Sequence, residues 1–268
     1  MAEPVTENDN VLVIAAHPDD IDFGAAGYVA LMRQHNVNVT YAVVTDGQLG
    51  GSDLSVSREE MAKLRRQEQI SAAKVVGVKD VRFLGFFDGE VKADFELRRA
   101  ITELVREIRP KRVIAPSPDR AWQRLGASHP DHLAVGEAVV SVIYPDARNP
   151  FAYPELLQKG LEAFIVKELW LMGSPYAFCG PKDSEVLIPG ADLINPDIYR
   201  GELGTFVTAV DVSKTFSYKV NALKAHESQT KEINDLEGLL RSWLSHNGRI
   251  YKNNEELLCE AFQVVYLT

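Results

Sequence analysis

Residues 11–20 read VLVIAAHPDD and join a short apolar run to a loop rich in polar side chains. Residues 11–16 are all apolar, which is typical of a central strand buried on both faces. The chain then alternates between the two kinds of periodicity, with helices predicted at 23–34, 57–76, 93–108 and 129–142 and strands at 37–44, 81–84 and 113–115. This alternation predicts an α/β fold with a mostly parallel sheet and helices on both faces.

The second half of the chain is less regular. We predict strands at 165–172 and 206–210 and helices at 213–227 and 232–245. Residues 178–203 form a long stretch punctuated by glycine and proline, which would suit a substrate lid or an oligomer contact. The polar residues 1–10 predict a frayed terminus. Because no repeat, low-complexity segment or linker interrupts the chain, we predict a single domain over residues 1–268.

The charge and cysteine content exclude several classes of protein. The 268 residues carry a formal net charge of −9, which argues against nucleic acid or an anionic membrane as the partner. Cys179 and Cys259 form no C-x-x-C pair, so neither a disulfide framework nor a cysteine zinc site is expected. No basic, apolar leader opens the sequence and no apolar run could span a bilayer, which predicts a cytoplasmic protein. A homo-oligomer is left open.

Two polar clusters follow predicted strands of the sheet. In folds of this kind ligands bind at the carboxyl ends of the strands, where His17, Asp19 and Asp20 follow the first strand. A histidine and two carboxylates there are costly to hold unless something binds them. The second cluster is SHPDH at 128–132. Its serine and aspartate have the spacing of a capping box and its proline suits a first helical turn, but capping does not explain two histidines on one face.

One aspartate and two histidines from these clusters would make a three-ligand metal site. Three protein ligands with an open fourth position are typical of catalytic zinc. The same donors also suit Fe²⁺ or another divalent ion, so the ligand types leave the metal open. A helix N-terminus disfavours imidazolium, and neutral imidazole is the form that binds metal. The remaining aspartate and histidine are then free to act as a base and an electrostatic partner.

The motifs resemble those of the LmbE/PIG-L family of de-N-acetylases. A strand followed by AHPDD at 16–20, with HPDH at 129–132, is similar to the family's first motif pair, and Arg65 with Glu68 resembles its R-x-x-E. Three later motifs are also similar: FDG at 87–89, DARNP at 146–150 and AHESQ at 225–229. The resemblance spans roughly residues 11–230. Many members continue AHPDD with glutamate, whereas this chain places its acid one step later, at Asp22.

The resemblance implies a Rossmann-like, LmbE-like hydrolase that uses zinc to remove the acetyl group of a small N-acetylated substrate, such as an N-acetylglucosaminyl conjugate. It implies these roles: His17, Asp20 and His132 as zinc ligands; Asp19 as the general base; His129 as the group that steadies the oxyanion or protonates the leaving amine; Asp131 as the carboxylate that orients His129; Arg65 as a substrate-binding residue; and Asp88, Arg148 and His226 as further candidate substrate contacts. Arg65 would otherwise be a helix-surface partner of Glu68. Asp88 could instead only form a turn, and His226 could instead only have a structural role, without contacting substrate.

Two other functions fit parts of the sequence. Gly24 and Gly27 open a helix after a strand, as in a nucleotide- or sugar-binding Rossmann-like module without hydrolytic activity. The first glycine of G-x-G-x-x-G is absent, however, and no acid ends the second strand. A third hypothesis is that the protein is a catalytically inactive family member that serves as a scaffold. All the matched ligand and base positions are filled, which argues against it.

Overall fold

The computed structural model describes residues 5–51, 53–183, 185–190 and 192–267. In chain order its strands and helices are β1 (Asn10–Ala15), α1 (Asp20–Gln34), β2 (Asn38–Thr45), α2 (Arg58–Val75), β3 (Asp80–Phe86), α3 (Phe95–Ile108), β4 (Arg112–Pro116), α4 (Pro130–Ser141), α5 (Pro154–Gln158), β5 (Glu168–Met172), α6 (Pro175–Phe178), β6 (Val186–Ile188), β7 (Ile198–Arg200), β8 (Phe206–Asp211), α7 (Phe216–Lys224), α8 (Glu227–Thr230), α9 (Leu236–Lys252) and β9 (Cys259–Tyr266).

These strands form one mixed sheet in the order β3-β2-β1-β4-β5-β9-β8-β7-β6. Strands β1 to β5 pair in parallel, whereas β9, β8, β7 and β6 continue the sheet through antiparallel pairings. The predicted α/β fold class is confirmed, with an antiparallel extension that the sequence did not predict. None of the described helices is both long enough and apolar enough to cross a membrane.

The side chains of alternate residues of β1 pack in two separate hydrophobic cores, one on each face of the sheet. Val11, Val13 and Ala15 pack in the core that α1, α2, α7 and α9 cover. Leu12 and Ile14 pack in the core on the opposite face, beneath α3 and α4. Because both faces of β1 are buried, its sequence shows a continuous apolar run instead of an alternating one. The loop that follows β1 is thereby fixed at the carboxyl edge of the parallel part of the sheet, where β1 is the middle of five strands.

The sequence analysis did not predict strand β9, which lies between β5 and β8 in the sheet. Its sequence includes the buried polar residues Glu260 and Gln263, which interrupt the apolar pattern. Glu260 is neutralised by Lys219, whose Nζ lies 2.7 Å from Glu260 Oε1, and it also accepts hydrogen bonds from the amides of Gly27 and Tyr28. This strand is therefore stabilised by contacts with sequence-distant residues.

Two predictions about irregular segments need correction. Strands β6 and β7 lie within residues 178–203, so this stretch contributes the edge of the sheet. The frayed terminus is wrong from Val5 onward, because Val5 is buried and its amide donates to Asn195 Oδ1 at 2.9 Å. Asn195 also accepts a hydrogen bond from the buried Arg112. Residues 1–4, for which fraying was predicted too, lie outside the described residues.

Candidate metal centre and active site

The loop after β1 directs two adjacent aspartates in different directions. The amide and hydroxyl of Thr45 both donate to the carbonyl of Ala16, which fixes the end of the strand. Asp19 then adopts a left-handed conformation with φ 96°, which is uncommon outside glycine. Asp20 begins α1, and its Oδ2 accepts a hydrogen bond from the amide of His17 at 2.8 Å. The two carboxylates consequently face different partners.

The second cluster begins α4, but its cap differs from the predicted one. His129 is the residue before the helix, and its Nδ1 accepts a hydrogen bond from the amide of Asp131 at 3.2 Å. Pro130 occupies the first turn as predicted. The capping box predicted for Ser128 and Asp131 is wrong, because Ser128 Oγ instead accepts from the amide of Ala121 across the preceding loop. His132 follows in the first turn of the helix, and its ring contacts His17 and Asp20 in the segment after β1.

His17, Asp20 and His132 bring three donor atoms together. His17 Nδ1 lies 3.2 Å from His132 Nε2, and His132 Nε2 lies 3.0 Å from Asp20 Oδ1. His17 Nδ1 lies 3.5 Å from Asp20 Oδ2. In a tetrahedral zinc site with bonds of about 2.0–2.1 Å, neighbouring donor atoms are about 3.3–3.4 Å apart. The two ring nitrogens and one oxygen of the Asp20 carboxylate could therefore supply one face of a tetrahedral metal site, although the two histidines contact different oxygens of Asp20.

The other ring nitrogen of His17 faces two buried carboxylates. His17 Nε2 lies 3.0 Å from Asp131 Oδ2 and 3.1 Å from Asp88 Oδ1. Each carboxylate is itself held by a backbone amide, that of Gly89 for Asp131 and that of Leu49 for Asp88. A proton held on Nε2 by these acceptors leaves Nδ1 free to bind a metal. Asp131 thus contacts His17, and the predicted pairing of its carboxylate with His129 is not the one found.

Two further sets of donors around His17 could also hold an ion. One combines His17 with His129 and His132, and the other combines His17 with Asp88 and Asp131. All three sets share the His17 ring, so the structure places a candidate metal centre at the end of β1. In the second of these sets both carboxylates already accept backbone hydrogen bonds, which reduces the lone pairs that they could offer to an ion.

The charges of the centre favour a cation. Burial lowers the pKa of His17, but the carboxylates around the ring, that of Asp20 foremost, outweigh it and raise the pKa to about 12. Burial likewise lowers the pKa of His132, and Asp20 raises it above its ordinary value. Although burial opposes it, the two histidines hold the pKa of Asp20 well below its usual range. The surplus of buried carboxylates thus attracts positive charge to this position.

Asp19 lies beside the three-residue set, and its carboxylate contacts Arg65. Arg65 is only 4% exposed, and its Nη2 lies 3.3 Å from Asp19 Oδ1. The same guanidinium donates to the carbonyls of Pro18 and Gly47. Burial raises the pKa of Asp19 to about 7, with Asp20 adding to the shift and Arg65 opposing it. Arg65 is not a helix-surface partner of Glu68, which accepts hydrogen bonds from Ser228 instead.

His226 reaches the centre through a buried chain of hydrogen bonds. His226 Nε2 lies 2.8 Å from Asp22 Oδ2, and the same oxygen accepts a hydrogen bond from Gln69 Nε2. Gln69 Oε1 in turn accepts from the amide of Asp19 at 2.9 Å. His226 is fully buried, so the contact that it makes is with protein. The sequence analysis did not identify Gln69 as a site residue. Its position four residues after Arg65, on the same face of α2, was the signal that could have revealed it.

The remaining predicted residues are Asp88 and Arg148. Asp88 belongs to the centre, where it contacts His17. The segment around Arg148 packs against α3, since Asp146 forms a two-bond ion pair with Arg98, and the Arg148 guanidinium lies 5.5 Å from the ring centroid of Tyr144. These contacts place the segment beside α3, and the role predicted for Arg148 in substrate binding stays a prediction.

A cavity of about 220 Å³ opens beside the metal centre. Asp20 and His132 form part of its wall, so it connects directly with two of the three donors. The rest of the wall comes from α1, the carboxyl end of β4, the segment before α4, the end of β5 and the residues after it, α6, α9 and β9. Its polar side chains include Arg124, and its apolar side chains are Phe23, Pro116, Ala127, Met172, Ala177, Phe178, Trp243, Leu244 and Ala261.

The glycines of α1 do not form a phosphate-binding loop. They lie inside the helix, where a Cβ added at Gly24 would come within 2.6 Å of Met172 Sδ and one at Gly27 within 2.8 Å of Val212 Cβ. Their role is close packing of the helix. Histidines and aspartates that can hold an ion, together with a separate buried carboxylate beside them, instead define the class of metal-dependent hydrolases.

Comparison with known proteins gives the family within that class. Residues 12–143 match the family model described as PIG-L: GlcNAc-PI de-N-acetylase. Diacetylchitobiose deacetylase from Thermococcus kodakarensis is 34% identical over 230 residues, which cover 86% of this chain and 73% of that protein. A protein named probable N-acetyl-alpha-D-glucosaminyl L-malate deacetylase 2, from Bacillus subtilis, is 29% identical over 95% of this chain and 94% of its own length.

A solved structure agrees with these sequence relatives. N,N'-diacetylchitobiose deacetylase from Pyrococcus horikoshii superimposes with a TM-score of 0.76 at 25% identity, covering 96% of this chain and 84% of that one. The chain belongs to the PIG-L family of de-N-acetylases. It is accordingly a hydrolase that acts on amide bonds, which confirms the enzyme class predicted from the sequence and does not support the binding-module alternative.

Proposed function

We propose that this chain is a zinc-dependent N-deacetylase in which His17, Asp20 and His132 hold the ion. The observation that carries the proposal is that the two ring nitrogens lie 3.2 Å apart and that each lies 3.0–3.5 Å from an oxygen of the Asp20 carboxylate, which is close to the donor spacing of a tetrahedral site. Two nitrogens and one carboxylate oxygen suit zinc, and Fe²⁺ is the alternative ion. Asp88 and Asp131 would then orient the His17 ring from behind, as carboxylates commonly do for metal-binding histidines.

A bound zinc ion supplies a Lewis acid that polarises the amide carbonyl and acidifies the attacking water. Asp19 lies next to the ligand Asp20 in sequence but outside the ligand set, and we assign it the role of accepting the proton of that water. Its carboxylate is buried and stands beside the proposed ligand set, where a positioned carboxylate can act as a general base. His129 stands at the rim of the centre, its ring centroid 4.9 Å from that of His17. From there it can stabilise the developing oxyanion or protonate the leaving amine.

The proposed substrate class is an N-acetylglucosaminyl conjugate. The relatives named above carry the names of deacetylases of diacetylchitobiose and of N-acetylglucosaminyl malate, which supports an acetamido sugar as the substrate. Arg65 would act on that substrate chiefly through Asp19 and the backbone around it, since its described hydrogen bonds go to protein. The one continuous sheet supports a single domain. The cytoplasmic location and a homo-oligomer stay predictions.

The two neighbouring aspartates test this assignment. Asp19→Asn should keep its zinc and lose turnover by a factor of about 10²–10⁴, because an amide cannot accept the proton. Asp20→Asn should bind zinc weakly and regain part of its activity when zinc is added in excess. Metal content by elemental analysis and acetate release from N-acetylglucosamine conjugates would be measured side by side. Asp183→Asn, at an exposed position, is the matched control and should resemble the unmodified protein.

The opposite pattern would reverse the roles. A metal-free Asp19→Asn protein would make Asp19 a ligand. A fully loaded but inactive Asp20→Asn protein would remove Asp20 from the ligand set and make it the proton acceptor. Iron in place of zinc in protein purified without added metal would correct the identity of the ion and leave the three ligands unchanged.

A further inference from the structure

An arginine without an acidic partner stands at the mouth of the cavity beside the metal centre. Arg124 lines the cavity and remains partly exposed to solvent. Its guanidinium carbon lies 4.0 Å from the ring centroid of Phe178 and 5.3 Å from that of Trp243. Partial burial lowers the pKa of the guanidinium, and no carboxylate among the described residues lies close enough to raise it. A guanidinium stacked on aromatic rings keeps the edge with its N–H groups free for a ligand.

Two buried polar atoms in residues of the wall also have no partner in the described part of the chain. They are Trp243 Nε1, which is a donor, and Asn247 Oδ1, which is an acceptor. Asn247 is only 2% exposed, and its Nδ2 donates to the carbonyl of Cys259 at 2.8 Å, so Oδ1 is the unused end of the amide. The two residues lie one turn apart on α9. Because buried polar atoms are rarely left without hydrogen bonds, we expect a ligand in the cavity to accept one from Trp243 and to donate one to Asn247.

The acidic residues of the wall do not oppose an anion. Glu260 lines the cavity, but its Oε1 lies 2.7 Å from Lys219 Nζ, and the charge of the carboxylate is thereby compensated. Asp20, the other acid, is a proposed ligand of the metal ion, whose positive charge would offset it. Among the described residues of the wall, Arg124 is therefore the charge that is left uncompensated, and it is positive.

The size and polarity of the cavity identify the part of the substrate that fits it. An amide carbonyl at the metal centre has two substituents, the acetyl methyl group and the amine-bearing sugar. The volume is about 220 Å³, and since a water-sized group takes up about 30 Å³ in a liquid, there is room for about seven such groups. The methyl group fills one of these places and offers no hydrogen bond to Trp243 or Asn247. The cavity consequently suits a polar group that the sugar carries.

We propose that this cavity binds the group to which the N-acetylated sugar is conjugated, and that this group carries a carboxylate held by Arg124. The proposal rests on the amide hydrolysis proposed above and specifies its substrate as an acidic conjugate. One guanidinium edge with two parallel N–H donors matches the planar shape of a carboxylate. Trp243 and Asn247 lie outside residues 12–143, which match the family model, so this specificity does not follow from the family match.

Glycosides that differ only in charge test the subsite. N-acetylglucosamine carrying a carboxymethyl group on its anomeric oxygen would be compared with the carbamoylmethyl glycoside, and a 3-carboxypropyl and 3-carbamoylpropyl pair repeats the comparison with a longer reach. In the better pair the acid should exceed the amide in kcat/KM for acetate release by at least about tenfold, the value of a hydrogen bond between charged groups. Because Arg124 is partly exposed, high salt should reduce this preference.

Two outcomes of this comparison would overturn the proposal. Equal kcat/KM values for acid and amide in both pairs would show that the cavity does not select an anion. A phosphonomethyl glycoside that exceeds the carboxymethyl glycoside would make the ligand a phosphate-like group in place of a carboxylate.

Variants of the wall make the test local. Arg124→Gln should reduce the ratio of acid to amide activity to about one, whereas Arg124→Lys keeps the charge without the two-pronged edge and should retain part of the ratio. Trp243→Phe removes a donor that either glycoside can use, so both activities should fall by about three- to tenfold with little change in their ratio. Arg241→Gln is the control, because Arg241 pairs with the exposed Glu237 on α9, and should leave the ratio unaltered. A ratio that survives in Arg124→Gln would refute the role of Arg124.

A binding measurement separates this inference from the proposed function. Asp19→Asn protein should bind the acid of the better pair more tightly than its amide in a calorimetric titration, and Arg124→Gln introduced into it should remove the difference. If the unmodified protein releases acetate from none of the glycosides but this difference is present, the subsite stands and the proposed reaction fails. If acetate is released equally from acid and amide and they bind equally, the reaction stands and the subsite fails.

Discussion

Gln69→Leu would release the backbone that positions Asp19. The side chain is fully buried in α2, accepts a hydrogen bond from the amide of Asp19 and donates one to Asp22. A leucine of similar size leaves that amide buried without a partner, which costs about 1–3 kcal/mol. Asp22 keeps its contact with His226, so losing the hydrogen bond from Gln69 to Asp22 should cost less free energy. We expect unfolding to become easier by about 2 kcal/mol, which corresponds to a drop in Tm of about 4–8 °C for a protein of this size.

The effect on turnover should exceed what instability alone would cause. Asp19 has φ 96°, a conformation that costs about 1–3 kcal/mol and persists only where surrounding contacts hold it. Without Gln69 the residue can relax and move its carboxylate by about 1 Å, a displacement that can cost about 10²-fold in rate. We therefore expect kcat to fall by about that factor, with KM and zinc content nearly unchanged because neither the ligands nor the cavity is altered.

The assay is a comparison of kcat, KM, zinc content and Tm for Gln69→Leu and Gln67→Leu. Gln67 lies on the exposed face of the same helix, so its replacement controls for the change in composition and should leave all four quantities unaltered. A lowered Tm with an unchanged kcat would show that Gln69 only stabilises the fold and would refute its role in positioning Asp19.

Three further predictions follow from buried or exposed side chains. His132→Ala should lose stoichiometric metal and keep its secondary structure by circular dichroism, because His132 is a proposed ligand that lies at a helix end; full metal occupancy would exclude it from the ligand set. Lys219→Met should reduce the free energy of unfolding in urea by about 3–5 kcal/mol, because Glu260 is left buried without its counter-charge; a loss below about 1 kcal/mol would contradict this. A thiol reagent at neutral pH should modify Cys179, which is exposed, before Cys259, which is buried and whose pKa burial raises to about 12; equal rates in the folded protein would show that β9 opens readily.

The parts of the molecule that could be predicted from sequence are those set by local pattern. Residues 11–15 of β1 are apolar because both faces of the strand are buried, and the polar loop follows at once. The strand and the cluster at 17–20 could therefore be predicted together. The cluster at 129–132 begins a helix for equally local reasons, with Pro130 in its first turn. That the two clusters meet at one edge follows from the parallel pairing of β1 with β4.

The features that could not be predicted from the sequence depend on contacts between residues that are far apart in the chain. Asp22 and His226 are separated by 204 positions, and each alone resembles an ordinary helix residue. Likewise β9 carries Glu260 in a strand interior, which local pattern disfavours until Lys219 is brought beside it. Ser128 was misread because its hydroxyl caps nothing in α4 and instead closes a loop that only the folded chain reveals.

The insertion of β9 between β5 and β8 has a consequence for biosynthesis. As the chain emerges from the ribosome, β5 and β8 are present long before residues 259–266, and until then each exposes an unpaired edge that invites pairing with another nascent chain. β9 also supplies Glu260 and Ala261 to the wall of the cavity. The nascent protein can therefore bring together the histidines and aspartates that follow β1 and β4 at an early stage. The wall of the cavity beside them is completed only when β9 enters the sheet.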